Sequence, residues 1–206
     1  MEPAKPKVKL TGIILAGGKG MRMGQVKPLV LLEGVTLLER VVRILESVME
    51  GVIIVTSESI SKSLEFKNRA NVVTDHFPGK GPLSALYTGL KYSTSEFNFV
   101  VSCDMPFINL DIARVLAESI TGFDAAVPSI HGKPQPLHGV YSRACCDVAL
   151  PLALEGKGIK HMLRGLKTKY LFQDEIGILD PTFHSFFSVN SPMDLKIAEK
   201  HLNLFG

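Results

Sequence analysis

Cysteine is scarce in this chain of 206 residues: Cys103, Cys145 and Cys146 are an odd number, and none sits at a spacing used by paired metal ligands. Adjacent cysteines such as Cys145 and Cys146 rarely bridge one another, so all three read as reduced and structural. Long apolar runs are missing too. "GIILAGG" and "FNFVVSC" are far too short to cross a bilayer, and "MEPAKPKVK" lacks the apolar core of a signal peptide. The expected location is cytoplasmic, with no membrane partner. A net charge of +3 suits an anionic small molecule but falls short of the basic stripe of a nucleic-acid binder. Repeats, low-complexity tracts and Pro/Gly/Ser linkers are also absent. With 46% hydrophobic residues the chain can bury one sizeable core. The expectation is a single domain over 8–206 behind a disordered tail at 1–7, with a first half at 8–108 and a second at 109–206.

Apolar runs of strand length alternate with segments of helical period. "VKLTGIILA" (8–16) reads as a buried strand, and "TLLERVVRILESVM" puts Leu37, Leu38, Val41, Val42, Leu45 and Val48 on one helical face. Thr36 and Glu39 have the spacing of a capping box. "GVIIVTS" reads as a strand, 59–69 as a polar helix and "NVVTD" as a short strand. A helix then starts at Pro82, followed by the strand "FNFVVSCD" and the helix "LDIARVLAESI". This order predicts an α/β fold with a mostly parallel central sheet and helices on both faces, a three-layer Rossmann-like arrangement. Beyond residue 122, "DAAVPSI", "QPLHGVYS" and "HSFFSVN" read as strands, interleaved with helices near 142–154 and 158–166. The last helix starts at Pro192, with Ser191 as N-cap and Asp194 three residues on.

The segment after the first strand, "LAGGKGMRMGQVK", carries four glycines with Arg22 and Lys27. In an open α/β sheet such a loop lies at the carboxyl edge, where ligands bind. Glycine permits positive φ and close backbone approach, successive free N–H groups form an anion nest, and the two cations suit phosphate. No Gly-Lys-Ser/Thr triplet closes a Walker A loop, and Gly18, Gly20 and Gly24 miss the G-x-G-x-x-G spacing by one residue.

"LAGGKGMRMGQVKPLV" resembles the signature L-A-G-G-x-x-x-R-M-G-x-x-K of nucleotidyltransferases with a GT-A-like Rossmann architecture. The likeness continues, in order, through "TDHFPGKGPLSALYTGL", "VVSCDMPF", "QPLHGVY" and "FFSVNSPMDL". Within that superfamily the chain is most similar to the molybdenum cofactor guanylyltransferases, the MobA family. The resemblance implies transfer of GMP from GTP to the terminal phosphate of molybdenum-molybdopterin, with Mg²⁺ as cofactor. It assigns Leu15, Ala16, Gly17 and Gly18 to the backbone that meets the nucleotide, and Arg22 and Lys27 to its phosphates. Lys27 would offset charge growing on the pyrophosphate leaving group.

Asp104 ends the strand "FNFVVSCD"; a lone carboxylate beside a triphosphate is a typical Mg²⁺ ligand, since that ion keeps its other positions for water and phosphate. Asp75 ends "NVVTD" and by resemblance contacts the nucleoside, through the guanine edge or the ribose hydroxyls. Ser57 stands where the family commonly carries Asn after the second strand. "LAGG" rather than "LAAG" favours the guanylyl branch over CTP-using relatives or transferases acting on sugar or polyol phosphates. A non-catalytic nucleotide sensor or a chaperone for cofactor delivery is the reading from another class, and the presence of Lys27 and Asp104 speaks against it.

For the acceptor, the candidates are Gln135 and His138 in "KPQPLHG", with Lys133, and Asn190 in "SVNSP". A phosphomonoester is largely dianionic at neutral pH and needs no strong general base. His76, His131, His138, His161, His184 and His201 lack metal-ligand spacing and read as structural or surface residues. The basic run Lys157, Lys160, Arg164, Lys167 and Lys169 reads first as a solvated face, and second as steering an anionic pterin. Transient contact with molybdopterin biosynthesis proteins or acceptor apo-oxidoreductases is the further expectation, because the product must reach an apo-enzyme. A monomer is favoured.

Overall fold

The computed structural model describes residues 8–17, 26–64, 66 and 68–205. The expected tail at 1–7 and the site candidates Gly18 and Arg22 lie outside the described residues. Strand β1 (Val8–Leu15) leads to a 3-10 turn at Lys27–Leu29 and a small hairpin of β2 (Leu31–Leu32) and β3 (Val35–Thr36). Helix α1 (Leu37–Glu46) follows, then β4 (Met49–Thr56), the single-turn α2 (Glu58–Ser61), β5 (Asn71–Thr74), α3 (Pro82–Tyr92), β6 (Phe97–Ser102) and α4 (Leu110–Ser119). The remainder comprises β7 (Ala125–Ile130), β8 (Lys133–Pro134), β9 (His138–Ser142), α5 (Cys145–Leu154), α6 (Ile159–Gly165), β10 (Thr168–Phe172), α7 (Gln173–Leu179) and α8 (Pro192–Phe205).

Among the described residues, the two halves of the chain share one sheet in the order β10-β7-β9-β6-β1-β4-β5, with β8 paired to β7. β1 runs parallel to β4 and β6, β4 to β5, and β7 to β10, whereas β9 is antiparallel to both β6 and β7. Continuous apolar strands are buried on both faces, as an inner parallel sheet requires. Ile14, Ile54, Phe99 and Val101 pack against Leu38, Val41 and Leu45 of α1 and Ile112 and Leu116 of α4. Ile13, Val55 and Val100 face Leu83, Leu86 and Leu90 of α3 and Ala149 and Ala153 of α5. The fold is therefore the three-layer α/β architecture expected, and helix α3 lies unusually close to the sheet. A Cβ added at Gly89 would stand 2.4 Å from Ile13 Cγ2.

Local chemistry explains several helix starts. Thr36 Oγ1 accepts the Glu39 N–H at 3.1 Å, while the Glu39 carboxylate turns instead to Arg69 and Arg43, leaving the capping box half formed. Pro82 opens α3 behind Gly81, whose φ of 85° suits glycine. Two expectations are corrected. The helix expected over 59–69 is only the turn Glu58–Ser61, because Ser61 and Ser63 hydroxyls bond back to Glu58 and Ile60 carbonyls and compete with continuation. "HSFFSVN" is no strand: Asp180 accepts the N–H groups of His184 and Ser185, and Phe183 adopts φ 54°, winding a 3-10 turn. β10 and α7, unmarked by any clean period, supply an edge strand and its covering turn.

Candidate active site

The chain leaves β1 for β4 on one side and returns to β6 on the other, which opens a crevice beyond the carboxyl ends of β1 and β6. A cleft of about 410 Å³ occupies it, lined by Leu15, Gly17, Asp75, Gly81, Pro82 and Ser102 among others. Ala16 is buried behind it: its N–H donates to Val55 O at 2.8 Å and its carbonyl accepts the Thr56 hydroxyl at 2.8 Å. Those bonds fix the backbone just past the end of β1. Gly17 is exposed to the cleft, with open space around the position a Cβ would take.

Asp75 stands at the end of β5, its N–H bound to Thr56 O. Its Oδ1 accepts from the Ser84 hydroxyl at 2.6 Å, the Thr88 hydroxyl at 3.2 Å and the Phe77 N–H at 3.2 Å. These bonds lock the carboxylate, and among the described residues Oδ2 has no donor, so it can accept from a ligand. Ser57 follows β4 and precedes α2, but its hydroxyl meets Ser59 Oγ at 3.1 Å and it lines neither cavity.

Asp104 is 7% exposed just past β6. Lys27 Nζ donates to its Oδ2 at 2.7 Å and to Asn190 Oδ1 at 2.6 Å, joining three residues distant in sequence. Asn190 is held by its own cap: Asp194 Oδ2 accepts the Asn190 N–H and the Ser191 hydroxyl, both at 2.9 Å. Those bonds, the backbone one first, hold the Asp194 carboxyl below its ordinary range. Val189 N–H donates to the Asp104 carbonyl at 2.9 Å, tying the segment before α8 to the segment after β6.

A second opening of about 300 Å³ adjoins the first, Ser102 and Leu137 lining both. Asp104, Gln135, Lys160, Ser188 and Asn190 face it. Gln135 and Asn190 are therefore brought together as expected, whereas His138 is not. It is fully buried with its ring 5.2 Å from that of Phe99 and 4.9 Å from that of Phe186. Neither of its nitrogens finds a partner among the described residues, and burial drives its pKa down to about 3, against the opposing pull of Asp180. The acceptor-side candidate His138 is thus a neutral core residue one layer beneath the groove. Ser102 and Ser188 escaped the sequence reading, since a lone serine at a strand end or in a loop carries no signal. Among the described residues no cluster of three or more His, Cys, Asp or Glu could hold a metal, and no helix is long and apolar enough to cross a membrane.

Two adjoining openings lie on one carboxyl edge, with Asp104 on the second and Lys27 bonded to it, and a family match makes this α/β protein a nucleotidyltransferase. The MobA-like NTP transferase domain matches residues 12–170, and the chain belongs to that family. It is 34% identical over 200 residues, 91% of each chain, to a Pelotomaculum thermopropionicum protein named a probable molybdenum cofactor guanylyltransferase. A Bacillus mycoides protein of the same name is 28% identical over 199 residues, covering 95% of this chain and 98% of the relative. The crystal structure of molybdopterin-guanine dinucleotide biosynthesis protein A from Archaeoglobus fulgidus matches with a TM-score of 0.84 at 27% identity, over 95% of this chain and all of its own.

Proposed function

We propose that the protein transfers GMP from GTP to the terminal phosphate of molybdenum-molybdopterin, a reading supported by relatives named probable molybdenum cofactor guanylyltransferase. An oxygen of the acceptor phosphate attacks the α-phosphorus of GTP, and the bond from that phosphorus to the oxygen bridging to the β-phosphate breaks, releasing pyrophosphate. The observation that carries this reading is the shared wall of the two openings, with Asp104 and Lys27 beside it. The cleft takes the nucleotide, Asp75 Oδ2 receiving hydrogen bonds from guanine or ribose, and the groove takes the acceptor. No general base is needed; alignment and charge neutralisation suffice.

Asp104 fits a divalent cation such as Mg²⁺: Lys27 holds Oδ2, and Oδ1 has no donor among the described residues. When bound there, the ion would offset phosphate charge. Lys27 is placed to swing from Asp104 and Asn190 toward phosphate oxygens.

The test is transfer from α-phosphate-labelled GTP and CTP, side by side, to molybdenum-loaded molybdopterin. Label from GTP in the pterin, lost by at least about a hundredfold in Lys27→Glu, is expected. Preference for CTP would overturn the base assignment at Asp75; transfer from neither would overturn the acceptor; normal turnover in Lys27→Glu would remove that residue from the chemistry.

A further inference from the structure

Of the five cations in the run from Lys157 to Lys169, the fold delivers one to the acceptor groove. Ile159, Met162 and Leu163 are buried and anchor α6, which leaves Lys160 on its open side, where it lines the groove with Gln135, Ser188 and Asn190. Lys167, by contrast, lies with its ammonium 5.1 Å from the centroid of the Phe123 ring, and Arg164 is exposed without lining the groove. Lys27 is engaged by Asp104 and Asn190. Among the described residues Lys160 has neither an ion pair nor a hydrogen bond from its ammonium. No carboxylate among the described residues pairs with its positive charge.

The groove has a matching need. A phosphomonoester entering it would approach the Asp104 carboxylate, and two anions in a partly enclosed site repel unless a cation intervenes. Lysine supplies a compact charge on a flexible stem that can follow a phosphate without demanding a fixed fork geometry. Gln135 and Asn190 carry amide groups beside it, and Ser188 a hydroxyl, to complete an anion's hydrogen bonds. Resting on the guanylyl-transfer reading above, we propose that Lys160 is the residue that binds the terminal phosphomonoester of the acceptor and aims it across the Ser102–Leu137 seam at the donor. The rest of the basic run is a solvated face.

Steady-state transfer with the parent protein, Lys160→Gln, Lys160→Arg and Arg164→Gln tests this. Lys160→Gln is expected to raise the acceptor KM by about tenfold or more and to flatten its salt dependence, with the donor KM moved by less than about twofold. Lys160→Arg retains most acceptor affinity, and Arg164→Gln behaves as the parent. An acceptor KM in Lys160→Gln equal to that of the parent would overturn the proposal, as would an equal loss in Arg164→Gln, which would make the effect one of general field. If the parent itself transfers no GMP, the guanylyl reading falls, and titration with inorganic phosphate followed by amide NMR still decides Lys160. Shifts of the Gln135 and Asn190 side-chain amides in the parent but not in Lys160→Gln uphold it. Identical shifts in both, or none in the parent, overturn it.

Discussion

Lys27, Asp104 and Asn190 show how one ammonium can join residues distant in sequence. The Lys27 ammonium sits between an acceptor oxygen of each partner, within 2.7 Å of both, so its charge is preplaced without being fixed by a rigid fork. His138 shows the opposite, a polar group sealed from water with no partner among the described residues. Its folded-state pKa of about 3 lies below the 6.5 of an ordinary histidine. Between those values the unfolded chain holds a proton at this position that the folded chain refuses. The associated stability is complete above pH 6.5 and is lost as pH falls toward 3, at about 1.4 kcal/mol per pH unit where the difference is a full proton. Urea unfolding at pH 7 and pH 5 is expected to show a lower midpoint at pH 5. His138→Phe, which keeps a ring between Phe99 and Phe186, should flatten that dependence by about one proton; an unchanged slope would mean that folded His138 titrates freely.

Helix α3 is the element on which cleft geometry turns. It rests on β1 through a contact that only glycine allows, and its first turn, with Gly81 and Pro82, walls the cleft. Gly89→Ala would place its methyl group 2.4 Å from Ile13 Cγ2, so either the helix or the strand must move. The expected cost is about 1–3 kcal/mol of stability, read from denaturant midpoints, with weakened nucleotide binding as Ser84 and Thr88 shift under Asp75. A Gly89→Ala protein as stable as the parent would show that α3 packs more loosely than described. Elements with strong local chemistry were legible in the sequence: Thr36 before α1, Pro82 at α3 and Ser191 before α8 each marked a true start. The 3-10 turn at His184–Phe186 was not, because apolar composition favoured a strand, while a carboxylate in the same segment, Asp180, captured its N–H groups. β10 was not legible either: its edge position leaves most of its residues half-exposed, which erases the pattern.

For the molecule as a whole, the carboxyl edge carries two openings, one lined by Asp75 and the other by Gln135, which the proposed reaction assigns to donor and acceptor. Asp75→Ala is expected to raise the KM for GTP by about tenfold or more with little change for the acceptor, and Gln135→Ala the reverse by a smaller factor. Two-substrate kinetics on each variant measures this; equal effects on both substrates would mean that the openings act as one. The sequence by itself determined the alternation of strands and helices, several caps, and the carboxylates after β5 and β6. Periodicity, turn chemistry and strand ends are written in near neighbours along the chain. Only the tertiary structure decided that Lys27 meets Asn190 across 163 positions, that Lys160 alone of its run reaches the groove, and that His138 lies beneath it. Those outcomes depend on which face each strand buries and which helix covers it, and burial of that kind is set by the whole sheet closing at once.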